Sequence, residues 1–251
     1  MIDRYLAIQI IVFFASIVTF TYFERKNPAI GINVKKDIFL NIAAMSVVVF
    51  LGEYAKKIVA FGYDGISLSN LLFNNPLSGL PGGLKVVITI VMTDFCLYWV
   101  HRTMHGPWIF FWNTHAFHHT IKELWWLSGS RTSFLHLLLF AIPQVFIGFY
   151  LLQLTSAQST VCLSLSAFIN LWLHTNLWLN IGWFERFIIT PNYHRLHHGA
   201  QGNIHKNMGF ILTIWDRLFG TYSNPALLKK DLELYPVPID GVKVLRMIIG
   251  L

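Results

Sequence analysis

The chain is poor in the residues that make small folds rigid or soluble. Two cysteines, Cys96 and Cys162, occur in 251 residues, each inside an apolar run, which excludes a disulfide framework and a cysteine-based zinc site. Any metal must be held by imidazole. Charge is scarce as well: 12% of residues are Asp, Glu, Lys or Arg, about half the roughly 25% of an average soluble domain, while 55% are hydrophobic. That balance predicts an integral membrane protein. No small-residue cleavage site follows the first apolar run, where the sequence reads FTYFERK, so the run is a retained anchor and not a signal peptide. No HExxH occurs, so a zinc protease would lack its general base.

Five runs approach the roughly 17–25 apolar residues that cross a bilayer as a helix: Leu6 to Tyr22, Ile38 to Tyr54, Leu84 to Val100, Leu135 to Leu152 and the shorter Val161 to Leu173. The expected fold is an all-α integral membrane protein with four to five transmembrane helices and a cytoplasmic helical cap carrying a histidine-rich dimetal site. We divide it into an N-terminal hairpin with an outer loop (1–83), a catalytic part (84–223) and a C-terminal tail (224–251). The formal charge of +7 reflects topology, not affinity for nucleic acid. Arg25, Lys26, Lys35, Lys36 and every Lys and Arg after His174 fall on one side of the predicted spans, and the positive-inside rule makes that side cytoplasmic. Glu53 pairs at the opposite interface with Lys56 or Lys57, and the Gly- and Pro-rich stretch Gly62 to Gly83 is an outer loop.

Histidine is where the chain is rich, with eleven. The stretch HRTMHGPWIFFWNTHAFHH supplies His101, His105, His115, His118 and His119, and PNYHRLHH supplies His194, His197 and His198. On a helix, residues three and four apart share a face, so each cluster aims its imidazoles at one spot. Pro191 and Asn192 mark a helix start. The tight turn Gln153 to Gln158 returns His174 to the face of His136 and the clusters, although a lone histidine on an apolar face is ordinarily a core residue. With His174 the candidates number nine, more than the six ligands one first-row metal accepts, which argues for two metals. Adjacent helical residues diverge by about 100°, so each HH doublet can feed different ions. Asp94 lies seven residues before His101 on nearly the same face, placed to accept the second N–H of a ligating imidazole or to bond a neighbouring helix. Imidazole alone does not choose among Fe, Zn, Cu and Ni. Bis-histidine haem would need only two to four histidines, within the spans, and a transporter would spread ionisable residues through them.

DFCLYWVHRTMH, HAFHH, the Arg131 segment, NLWLHT and TPNYHRLHHG followed by KNMGFILTIWDRLFGTY together resemble the membrane fatty acid hydroxylase/sterol desaturase superfamily, and most closely its alkylglycerol monooxygenase branch. The resemblance covers about half the chain, Asp94 to Tyr222. It implies two iron ions held by the nine histidines, His174 included, with zinc a substitute in a purified sample. Some members carry a tenth histidine where this chain has Asn170, so one metal is completed by Asn170 or water. The implied partners are a membrane, a lipid substrate, O2 and an electron donor, either a protein or a reduced pterin. The implied reaction is hydroxylation of a lipid C–H bond; beside an ether oxygen it would give a hemiacetal that collapses to an aldehyde and glycerol. Sterol or fatty acyl desaturation or hydroxylation is the alternative within the fold, and a non-catalytic haem- or metal-binding membrane protein the alternative outside it. Asp94 and Asp216 are expected behind the ligands, and Arg131 orients a cluster or meets a headgroup. His136 is left unassigned, and His205 is expected at the surface or behind the ligands.

Overall fold

A computed structural model describes residues 4–33, 37–72, 75–199, 203–227, 234, 237–238 and 244–251. It is helical throughout, with isolated bridges and no strand among the described residues. Four helices are long and apolar enough to cross a bilayer: α1 (Arg4–Lys26), α2 (Ile38–Gly65), α4 (Gly82–Met104) and the segment Phe134–Leu151. The short α3 (Leu68–Leu71) follows α2. Their apolar side chains remain largely outside the protein, as with Ile11 at 66% and Val18 at 68% exposed on α1, because lipid and not protein is their solvent.

The second span is longer than expected. Residues 55–65 contain no proline to stop the helix, so α2 runs three turns past Tyr54 to Gly65. The predicted outer loop is correspondingly shorter and includes α3 and a tight turn at Pro76–Gly79, capped by Asn75. Glu53 does pair with Lys56, at 2.7 Å. Within the fourth span, α6 (Phe134–Val145) contains Pro143, which cannot donate to the helical ladder, and beyond it Phe146–Leu151 winds as a π-helix with Leu152 N–H bonded to Ile147 O at 2.9 Å. The fifth helix, α7 (Ser156–Leu173), starts at a capping box made by Thr155 and Gln158. Its serines, threonine and asparagine leave it outside the four strongest candidate spans, in line with its short apolar run in the sequence.

α1 packs on α7 and α2 on α6, with α4 against both α6 and α7. Three of these helices, α4, α6 and α7, bring His101, His136 and His174 to one end of the bundle. There the chain folds back as α5 (Ile109–Ala116), a single tight turn at His118–Thr120, α8 (Pro191–His197) and α9 (Ile214–Leu218). The C-terminal tail ends in a short helix, α10 (Val244–Ile249).

Candidate metal centre

α4 ends on the first two histidines, with His101 in its last turn and His105 as its C-cap. The Thr190 hydroxyl caps α8 by accepting the Tyr193 N–H, and Pro191 at the first position fixes the entry, so His194, His197 and His198 emerge from one short, well-started turn. All nine predicted ligands are buried. They separate into two groups whose donor atoms converge within 4.8 Å: His101, His105, His115, His119 and His197 in one, and His118, His174, His194 and His198 in the other. Both HxxHH repeats split in the same way: the doublets His118–His119 and His197–His198 each send one ring to each group. The groups adjoin, with the rings of His119 and His198 4.7 Å apart between centroids.

The converging atoms are Nε2. In the first group His101 and His115 stand 3.0 Å apart, His105 and His119 3.1 Å, and His115 and His119 3.2 Å. In the second, His174 to His194 is 3.0 Å, His194 to His198 3.1 Å, and His118 to both His174 and His198 3.2 Å. Nitrogens bound at about 2.0–2.1 Å to one ion would be roughly 2.9 Å apart at right angles and roughly 3.3 Å apart at tetrahedral angles, so the observed spacings match a shared ion.

The outer ring nitrogens decide the tautomers. A carbonyl can only accept, so His101 Nδ1–H donates to Met208 O at 2.8 Å, His118 to Arg131 O at 3.1 Å, His174 to Asn170 O at 2.7 Å and His197 to Lys206 O at 2.8 Å. Each of these rings is left with a bare lone pair on Nε2. The lone pairs of His118 and His174 then face one another at 3.2 Å, and His197 Nε2 is buried with no hydrogen-bond partner. Opposed lone pairs in a dry site are unfavourable unless a cation lies between them, so the residues fit a metal in each group. Burial first, and the mutual repulsion of neighbouring rings second, push His105, His115, His118, His119, His194, His197 and His198 well below the ordinary imidazole range. Burial takes His174 down to about 4. Near neutral pH the whole set is uncharged and ready to ligate.

Asp94, Asp216, Arg131 and Asn170 surround the two groups without a side-chain hydrogen bond to any of the nine imidazoles. Asp94 does not reach an imidazole: its carboxylate accepts the Ile211 and Leu212 N–H groups at 2.8 and 3.0 Å and the Trp215 indole N–H at 2.8 Å. Asp216 accepts the Met208 and Gly209 N–H groups, each at 2.7 Å. The two carboxylates thus brace one loop, residues 208–212, whose Met208 carbonyl holds His101. Arg131 is 1% exposed, which rules out a headgroup contact. Its guanidinium donates to Asn41 Oδ1 at 2.6 Å and Thr120 O at 2.8 Å and pairs with Asp37 at 2.9 Å, while its own carbonyl holds His118. Asn170 holds His174 through its backbone carbonyl and turns its carboxamide to Gly129 O at 3.4 Å. His205 is exposed, its ring 6.1 Å from that of His105.

Sequence reasoning left three features of the site unassigned. His136 Nδ1 lies 3.1 Å from His115 Nδ1, buried at the start of α6; the topology placed it on the face of the clusters without giving it a role. Lys206 and Met208 act through their carbonyls, set on either side of Asn207, whose left-handed φ of 58° directs both towards the rings. Gly129 is the third: a Cβ there would collide with the His174 ring, 2.7 Å from its Cγ. The KN pair in the motif was a legible hint of the second feature.

The sequence profile of the family described as fatty acid hydroxylase matches residues 86–221, more than half of the chain. The protein belongs to that family. An ornithine lipid hydroxylase of Rhizobium tropici is 35% identical over 151 residues, 58% of this chain and 44% of the relative. The alkylglycerol monooxygenase of Homo sapiens is 30% identical over 161 residues, 64% of this chain and 34% of the relative. A very-long-chain aldehyde decarbonylase of Oryza sativa subsp. indica is 25% identical over 147 residues, 58% of this chain and 57% of the relative. The chain thus spans less than half the length of the first two relatives. No solved structure matches it at a significant level.

Proposed function

We propose that the protein is a non-haem di-iron oxygenase of the membrane that hydroxylates a lipid C–H bond with O2 and two external electrons. The carrying observation is the pair of adjoining imidazole groups, with four rings whose Nδ1–H is fixed on a backbone carbonyl and whose Nε2 is bare. His101, His105, His115, His119 and His197 would hold one ion and His118, His174, His194 and His198 the other, with Asn170 or water available to the second. Bound there, the metals would supply the activation of O2 and the oxidation of the C–H bond, giving the alcohol and water once two electrons and two protons have been delivered. The protein's own part is electrostatic and steric. Nine neutral ligands leave the positive charge of both ions uncompensated beside an apolar bundle, and burial excludes water from the reacting carbon. Asp94 and Asp216 act by bracing the loop whose Met208 carbonyl holds His101, and Arg131 by holding His118 through its own carbonyl.

The ornithine lipid hydroxylase and the alkylglycerol monooxygenase, by their names, both act on lipids, which favours an amphiphilic lipid of either kind as substrate. The histidine end of the bundle also gathers Arg25, Lys26, Arg102 and Arg186, supporting a cytoplasmic site within reach of a soluble electron donor, a protein or a reduced pterin. Iron-loaded protein in lipid nanodiscs, given a chemical reductant and labelled O2, tests the reading. Lipid-dependent O2 uptake with label in the lipid product is expected. Uptake with no oxidised lipid, or lipid oxidation that survives His118→Ala combined with His197→Ala, would overturn it.

A further inference from the structure

A cavity of about 280 Å³ opens between α2, α4, α6, the π-segment and α7 on the bilayer side of the histidines. It reaches from Lys57 to Leu97, which lies one helical turn before His101. One wall is the irregular stretch that follows Pro143: Val145, Gly148 and Phe149 all line it. π-Helical turns are rare and concentrate at functional sites, since they cost ladder geometry. Most of the lining is apolar; its polar side chains are Lys56 and Lys57 on α2, Thr89, Thr93 and Asp94 on α4, Gln144 on α6, and Ser159 and Ser166 on α7, and three of these, Thr93, Gln144 and Ser166, share one depth. Each stands eight residues from a histidine of the centre on its own helix, namely His101, His136 and His174, and hence about 12 Å along the helix axis. Together they form a polar ring at a single depth. The Thr93 hydroxyl is buried without a partner, and neither the Gln144 carboxamide nor the Ser166 hydroxyl makes a hydrogen bond among the described residues. Unsatisfied polar groups at membrane depth are costly and are kept where a cavity occupant satisfies them.

We infer that this cavity binds a hydrocarbon chain of the lipid substrate, and that Thr93, Gln144 and Ser166 select chains bearing a hydrogen-bonding oxygen about 12 Å from the carbon presented to the metals. Only a hydrocarbon already in the bilayer can reach a slot between the spans. Leu97 and the Asp94-braced loop at Phe210 and Ile211 line its inner end, so the carbon that reaches Leu97, one turn from His101, is the one presented to the metals. The inference rests on the lipid hydroxylase reading for what happens at the metals, but the binding it requires is separate from turnover.

The test is equilibrium binding of two probes to the full chain in nanodiscs, read by native mass spectrometry without reductant: octadecanol, and the same alcohol with an added mid-chain hydroxyl. The diol is expected to bind about tenfold more tightly than octadecanol, as one satisfied hydrogen bond predicts. In Gln144→Leu the two should bind alike, with octadecanol affinity retained. Leu163→Trp, which fills the slot from α7, should weaken both at least tenfold while metal content stays that of the parent. Equal binding of the two probes to the parent protein would overturn the polar ring, water then filling it. Unchanged binding of both in Leu163→Trp would overturn the slot. If binding behaves as expected but no lipid is oxidised, the catalytic reading fails and the slot stands; if Leu163→Trp oxidises lipid at the parent KM, the reading stands and the slot fails.

Discussion

Replacing Gly129 with alanine places a methyl group against a single metal ligand. The new Cβ would lie 2.7 Å from His174 Cγ and 3.0 Å from Cε1, and nearer still to Nδ1, where ordinary carbon contacts are about 3.5–4.0 Å. The ring must therefore retreat by about 1 Å, several times the roughly 0.2 Å tolerance of a metal–ligand bond. The ring cannot simply slide, because Nδ1–H is held by Asn170 O at 2.7 Å and Nε2 faces His118 and His194 at 3.2 and 3.0 Å. The four-histidine group loses a ligand, while the five-histidine group, which supplies none of the three atoms nearest the new Cβ, does not. Metal titration of Gly129→Ala, followed by elemental analysis after dialysis, should show one tightly held ion and a second weakened at least about tenfold, the low end of what disturbed ligand support costs. Retention of two ions with parental affinity would refute the packing argument, and with it the assignment of His174 to an ion. Loss of both would show that the groups are not independent.

Adjacent histidines should behave as members of different groups: His197→Ala is expected to deplete the five-histidine site and His198→Ala the four-histidine site, distinguishable by the differing spectra of the single cobalt ion that each variant retains. Asp216→Asn keeps one acceptor for Met208 and Gly209 N–H and forfeits the other, so the loop should loosen by about 1–3 kcal/mol and metal affinity fall at the His101 site, measured by chelator competition. Metal-free protein should lose stability as pH falls. A ring whose pKa is lower folded than unfolded binds more protons when unfolded below the unfolded value, so the loss begins near 6.5 and, for His174, is complete near 4, amounting to about 3 kcal/mol from that ring alone. Denaturant midpoints of chelated protein between those pH values check the sign; a midpoint that rises on acidification contradicts it.

Much of the site was legible because its information is local. The HxxHH spacing fixes which rings share a face and which diverge, and the structure uses that divergence twice, at His118–His119 and His197–His198. The spans were legible from apolar runs, with the error confined to the end of α2, where no proline follows Tyr54 and the helix runs on through Gly62 to Gly65. What could not be read is tertiary. Asp94 shares a face with His101, yet its carboxylate is claimed by a loop 117 residues away, because backbone N–H groups without ladder partners compete for it. Met208 and Lys206 act through carbonyls that every residue has, and Gly129 acts through an absent side chain. The topology put His136 on the face of the clusters, but its contact with His115 exists only once α6 is packed against α5.

Two metal ions per chain is the claim on which the rest depends. Protein loaded anaerobically with isotopically enriched iron and freed of loose metal should contain two irons per chain, with Mössbauer spectra showing two non-equivalent nitrogen-ligated ferrous sites, as a five-histidine and a four-histidine group require. A single iron per chain, or one haem-type iron with a Soret band, would contradict it.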